Sequence, residues 1–173
     1  EVILDANANI YVSAMTRSSD FPITANAVQS TIGGGQDGVV FELSPNCQNL
    51  LWSTFVGGPN NDACYVLSFD KTSPNDLYVA GGTESSFFTF TGTGGLHPTS
   101  QGGIDGFVLK FNVGSASKPL VKHTFIGTTA YDQIYGIQTD DSNHVYIMGQ
   151  TQGAYPTTPG VYSNPNSSQF ITK

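Results

Sequence analysis

The chain repeats itself with a period near 68 residues, and this periodicity restricts its possible folds more than any other feature. Ile10-Tyr11-Val12-Ser13-Ala14-Met15-Thr16 aligns with Leu77-Tyr78-Val79-Ala80-Gly81-Gly82-Thr83 and with Val145-Tyr146-Ile147-Met148-Gly149-Gln150-Thr151. Asp37-Gly38-Val39-Val40-Phe41-Glu42 returns as Asp105-Gly106-Phe107-Val108-Leu109-Lys110, with a worn third copy at Ser168–Lys173. Ser53-Thr54-Phe55-Val56-Gly57 returns as His123-Thr124-Phe125-Ile126-Gly127, and Asp62–Asp70 returns as Asp132–Asp140. Such a unit cannot bury its own apolar face, so neighbouring units must stack. A residue that recurs once per unit builds the unit, whereas a functional group stands out from the pattern.

Within a unit four runs read as strands: Asp62–Asp70, Leu77–Gly81, Gly106–Phe111 and Leu120–Ile126. Each is rich in β-branched and aromatic residues and is bounded by Gly, Pro, Asn or Asp. No stretch sustains a 3.6-residue period, so no helix longer than about two turns is expected. Short linkers join strands one to two (Asp5–Asn9, Asp140–His144) and three to four (Ser44–Asn49), as in hairpins. The connection from strand two to three, about Ser18 to Gln36, is long and varies most between copies. The expected fold is therefore all-β. Repeated four-stranded antiparallel sheets are the blades of a β-propeller, and here they would form a partial propeller of about two and a half repeats. The repeats span approximately 1–61, 62–131 and a truncated 132–173, within one segment covering 1–173. Strand one of each blade is expected innermost. Val12, Val79, Ile147, Val40, Val108, Phe55 and Phe125 are expected in the core.

Several words resemble the bacterial SBBP-type β-propeller repeat. They are Asp5-x-x-x-Asn9-Ile10-Tyr11-Val12, Thr16-x-Ser18-Ser19-Asp20-Phe21-Pro22, Gly34-Gly35-x-Asp37-Gly38-Val39-Val40 and Trp52-Ser53-Thr54-Phe55-Val56-Gly57-Gly58-x-x-x-Asp62. The resemblance covers essentially the whole chain. It departs at Ser85-Ser86-Phe87-Phe88-Thr89 and Gly153-Ala154-Tyr155-Pro156, where the pattern has Phe-Pro. It implies a propeller in a large secreted or surface-exposed bacterial protein, of the kind found in gliding, Bacteroidetes-like organisms with type IX secretion. It implies no reaction and brings no catalytic set.

Composition points the same way. Only 11% of residues are charged, against roughly 25% in an average soluble protein, and 20 Gly and 9 Pro supply turns. The net charge is −7, and the six basic residues are scattered, without the clustered footprint of a nucleic-acid binder. Anionic membrane surfaces are disfavoured for the same reason. No apolar run approaches the roughly 18 residues that span a bilayer. The first and last residues already lie inside repeats, so the chain looks like a window on a longer protein.

A direct search for chemistry finds little that stands out. Asp5, Asp70 and Asp140, Asp37 and Asp105, and Asp62 and Asp132 recur at equivalent positions, which fits turn-capping carboxylates better than a glycosidase pair. Asp5-x-Asn7-x-Asn9 opens like a calcium loop but has Ile10 and Thr16 where Gly and Glu are needed. His97, His123 and His144 fall at three different places in the repeat without zinc-ligand spacing. No Gly-x-Ser-x-Gly elbow or phosphate loop is present. No metal, cofactor or catalytic residue is expected. Cys47 and Cys64 would lie at opposite ends of strand four, roughly 15–20 Å apart. A disulfide needs about 7 Å, so two free thiols are expected. One stretch breaks the pattern: Phe87, Phe88 and Phe90 sit in a Thr- and Gly-rich loop. They are candidate contact residues for a partner or a sugar ring. The competing reading places at least Phe88 in the slot of Phe21 and Tyr155.

The function expected from these features is a non-catalytic, extracellular or cell-surface scaffold of adhesion type, meeting a protein or another surface component, and not an enzyme. The alternative is a carbohydrate-recognition module of a larger secreted enzyme. A propeller hydrolase is a third reading. An unclosed arc would leave apolar faces open, so residues 1–173 alone are not expected to form a stable monomer.

Overall fold

The computed structural model of the protein describes residues 1–88, 90, 93–164 and 166–173. Among them every regular element is a β-strand, and no helix is long and apolar enough to cross a membrane. The first sheet holds β1 (Val2–Leu4), β2 (Ile10–Thr16), β3 (Asp37–Leu43) and β4 (Leu50–Val56) in that order. The second holds β5 (Asp62–Phe69), β6 (Asp76–Thr83), β8 (Asp105–Asn112) and β9 (Leu120–Ile126). The third holds β10 (Asp132–Thr139), β11 (Val145–Thr151) and β12 (Gln169–Thr172). All these pairings are antiparallel. Each sheet lies within one sequence copy.

Even the irregularities repeat. A bulge falls after Cys64 in β5 and after Ile134 in β10, at the same copy position. Another falls between Glu42 and Leu43 and between Lys110 and Phe111, again at equivalent positions. A bulge turns its extra residue out of the ladder. In the second pair of bulges the extra residues are Leu51 and Val121, and in the first they are Tyr65 and Tyr135, whose rings stack 5.5 Å apart across neighbouring sheets.

The sheets pack face to face through two cores. β5 packs against β2 and β3, and β10 packs against β5, β6 and β8. Tyr11, Val40 and Trp52 of the first sheet meet Leu67, Val79 and Phe107 of the second. Tyr78 and Ala80 of the second meet Ile134, Ile147 and Phe170 of the third. Alternate residues of β6 thus serve opposite cores, as the two-residue period of a strand requires. This explains why β6 is apolar or small almost throughout: both of its faces are covered.

Position in the stack modifies the expected core. Val79, Ile147, Val40, Phe55 and Phe125 are buried. Val12, in the same copy position as Val79, is only half-buried, because no described sheet lies against that face of the first sheet. Val108 is also half-buried, since the facing third sheet has only three strands. Val2 and Leu4, paired with Val12 and Ile10, are 60% and 59% exposed. At the other end the paired Met148 and Ile171 are exposed as well.

The long strand two-to-three connections run along the edge of strand four. Phe55 N–H donates to Gln29 O (3.1 Å), and Phe125 N–H donates to His97 O (2.8 Å) at the equivalent place. In the second copy this connection contains β7 (Thr93–Gly94), which pairs parallel to β9. Sequence composition gives only a loop there. The open edge of β9 supplies the backbone groups that make it a strand, and the pairing covers an edge otherwise free to join another chain.

Candidate functional site

The recurring aspartates build turns. Asp5 Oδ1 accepts the N–H groups of Asn7 and Asn9, both at 2.8 Å. Asp70 Oδ1 accepts those of Thr72 and Ser73, and Asp140 Oδ1 those of Ser142 and His144. The His144 N–H holds the Asp140 carboxyl well below the usual carboxylate range. Burial works to raise Asp70, but the Thr72 hydroxyl and the Thr72 and Ser73 N–H groups outweigh it and bring it down.

The second aspartate set ties the sheets' connecting loops to strand ends. Asp37 accepts Gly33 N–H, Gly34 N–H and Gln29 Nε2. Asp62 accepts Gly58 N–H (2.7 Å), the Ser85 hydroxyl (3.0 Å) and the Thr83 hydroxyl. Burial pushes Asp62 up to about 6 against those three donors, and the Asp37 charge adds to the rise. Asp105 is raised by burial too, against the Gln101 N–H and Ser100 hydroxyl, with the Asp132 charge adding to it. The close approach explains the glycine that ends each fourth strand. A Cβ on Gly57 would sit 2.6 Å from Asp37 Cγ, and one on Gly127 would sit 2.8 Å from Asp105 Cγ.

The aromatic loop divides. Phe88 and Phe90 are buried, at 8% and 9% exposure, whereas Phe87 is 49% exposed. Phe88 packs on Phe107 (5.2 Å) and Phe125 (4.9 Å). Phe21 packs on Phe55 (6.3 Å), the copy equivalent of Phe125, and Tyr155 stacks on Phe170 (4.0 Å), the equivalent of Phe107. Phe88 therefore fills the recurring slot, and Phe90 extends it by packing on Phe88 at 5.0 Å. Burial takes both rings away from a ligand, which leaves Phe87 as the exposed contact candidate. Thr89, Thr91 and Gly92 of this loop lie outside the described residues.

The other candidates stay apart. His97 is exposed. His123 lies edge-on to Phe90 and Phe125, and burial lowers its pKa. His144 Nδ1 sits 2.9 Å from Asp140 Oδ2. Among the described residues no three His, Cys, Asp or Glu side chains gather as a metal site. Cys47 is an exposed thiol and Cys64 a buried one, unpaired with each other. Tyr131 and Tyr135 both donate to Gln133 Oε1, close to the stacked Tyr65.

One polar cavity, of about 230 Å³, opens between the first and second sheets. Its floor is Glu42, 4% exposed, whose Oε1 accepts Asn9 Nδ2 (3.1 Å) and whose Oε2 lies 2.9 Å from Lys118 Nζ. Lys118 Nζ also donates to Val113 O at 2.7 Å. Tyr11 lines the cavity with its ring edge-on to Phe69 at 5.1 Å. Burial raises the Tyr11 hydroxyl pKa, and the Glu42 charge raises it further. Sequence reasoning passed over Glu42 and Lys118. The available signal was the mismatch of Glu42 with Lys110 inside an otherwise matching repeat word.

No family model and no curated protein sequence matches the chain.

Proposed function

We propose that the chain is a segment of a β-propeller, of the SBBP-repeat type it resembles, serving as a non-catalytic extracellular scaffold of adhesion type. The observation that carries this reading is the stacking of three copies of one meander. Sheet order, bulges, aspartate turns and the aromatic slot of the strand two-to-three loop recur from copy to copy. Repeated sheets give a rigid frame, and variation is concentrated in the loops, where recognition resides. Each sheet is a blade in this account, with β5 and β10 as inner strands. The recurring aspartates Asp5, Asp37, Asp62, Asp70, Asp105, Asp132 and Asp140 each accept a backbone N–H, which supports a structural role for them.

The reading places the protein on the bacterial outer surface, in contact with a protein or another surface component, with gliding and type IX secretion as the setting the resemblance implies. Protease shaving of intact producing cells tests it. The scaffold reading expects rapid loss of the chain from intact cells and reduced attachment of the shaved cells. Full protection of the chain until the cells are lysed would sink it.

A further inference from the structure

We infer that the cavity between the first and second sheets is a binding site for a neutral polyhydroxylated ligand, a single sugar residue at the end of a glycan. The inference starts from where the repeat is broken. In the second copy Lys110 pairs with Asp76 at 2.9 Å and lies over the Tyr78 ring. In the third, Lys173 lies over the Tyr146 ring. In the first copy the equivalent positions hold Glu42 and Asn9, so the charge is inverted beside Tyr11. The cation comes instead from Lys118 of the next sheet, at the hairpin position where the first copy has Cys47. Glu42, which stands where the other copies have Lys110 and Lys173, therefore meets Asn9 and a lysine of the next sheet at one cavity.

They also change the tyrosine. Tyr78 and Tyr146 donate their hydroxyls to the turn aspartates Asp70 and Asp140, at 3.5 and 2.9 Å. Asp5, the equivalent of these, is bonded instead by Asn9 Nδ2 at 3.0 Å, and Tyr11 lines the cavity beside Glu42.

The chemistry of the cavity selects the ligand class. Glu42 is paired with Lys118, and the one unbalanced charge of the lining, on Asp5, is spread over three donors, the Asn7 and Asn9 N–H groups and Asn9 Nδ2, which leaves it an acceptor for ligand hydroxyls. At the rim the Asn7 and Asn75 side-chain amides make no hydrogen bond among the described residues. An amide and a phenol each donate and accept. Groups of that kind match hydroxyls, which do the same. The site needs only the packing of the first two sheets, so it stands or falls separately from the scaffold reading.

Saturation-transfer NMR on the full chain tests it, because the method tolerates self-association. The probes are the methyl glycosides of glucose, galactose, mannose and N-acetylglucosamine, with ethanolamine as a cationic control. Saturation transfer to at least one glycoside is expected. Asn75→Ala and Asn7→Ala, both exposed and away from the core, should each weaken it by about tenfold, the size of one hydrogen bond. Glu42→Gln, which keeps the side-chain shape, should weaken it more. The far-UV spectrum should stay unchanged in the Asn variants. Transfer to no glycoside overturns the inference. So does binding that survives both Asn variants but is lost in Phe87→Ala, or a preference for ethanolamine.

Discussion

The Thr83 hydroxyl donates to Asp62 Oδ1 across the β5–β6 pair, at a point where neither side chain reaches solvent. That contact, with Gly58 and Ser85, holds a carboxyl whose pKa burial lifts to about 6. The unfolded value is about 3.9. Between about pH 4 and 6 the folded state therefore binds more protons than the unfolded chain. The contribution is fully present below about pH 4 and is lost as the pH rises through about 6. Asp62→Asn keeps the shape and cannot ionise. Unfolding free energies of parent and variant, measured from pH 4 to 7, should diverge by up to about 3 kcal/mol. Identical pH dependence in the two proteins would remove Asp62 as the titrating group.

One repeat position should carry different weights along the stack. Val79 and Ile147 are buried and Val12 is half-buried, although all three are copies of one residue. Val79→Ala should cost about 2–3 kcal/mol, and Val12→Ala less than half of that. Val79→Asp should prevent folding, because a charge would enter a core with no partner. Val108→Asp, at a half-buried site, should be milder. Chemical denaturation of the alanine set is the check, and equal costs at Val12 and Val79 would mean that the first sheet is covered as fully as the second.

The two adjacent phenylalanines at 87 and 88 should separate stability from contact. Phe88→Ala opens a cavity against Phe107 and Phe125 and should cost about 3–4 kcal/mol. Phe87→Ala should change stability by less than about 0.5 kcal/mol. Trp52, the only tryptophan and fully buried, reports the unfolding by fluorescence. A large loss from Phe87→Ala would show that its ring is packed.

Much of this fold was legible in the sequence because a strand's two-residue period and a turn's chemistry are local. The tyrosine words at Tyr11, Tyr78 and Tyr146 gave the second strands, and the aspartates at Asp5, Asp70 and Asp140 gave the turns between strands one and two. What could not be read depends on distant partners. The difference between Val12 and Val79 lies in which neighbour covers each, and β7 exists because β9 offers an edge. The cavity needs Lys118 to reach Glu42 from 76 positions away. The aromatic loop was noticed for its composition, yet two of its three rings belong to the core, because rings that large are buried when a slot exists.

The most direct test of the stack of like sheets concerns its two end faces. Val2 and Leu4 at one end, and Met148 and Ile171 at the other, are exposed where the second sheet has buried Leu67 and Ala80 and half-buried Phe69 and Val108. Size-exclusion chromatography with light scattering, run on the chain by itself across a concentration series, measures the consequence. The account predicts concentration-dependent self-association that Leu4→Lys and Ile171→Lys together reduce without altering the far-UV spectrum. A monodisperse monomer at every concentration, unfolding in one cooperative thermal transition, would contradict it.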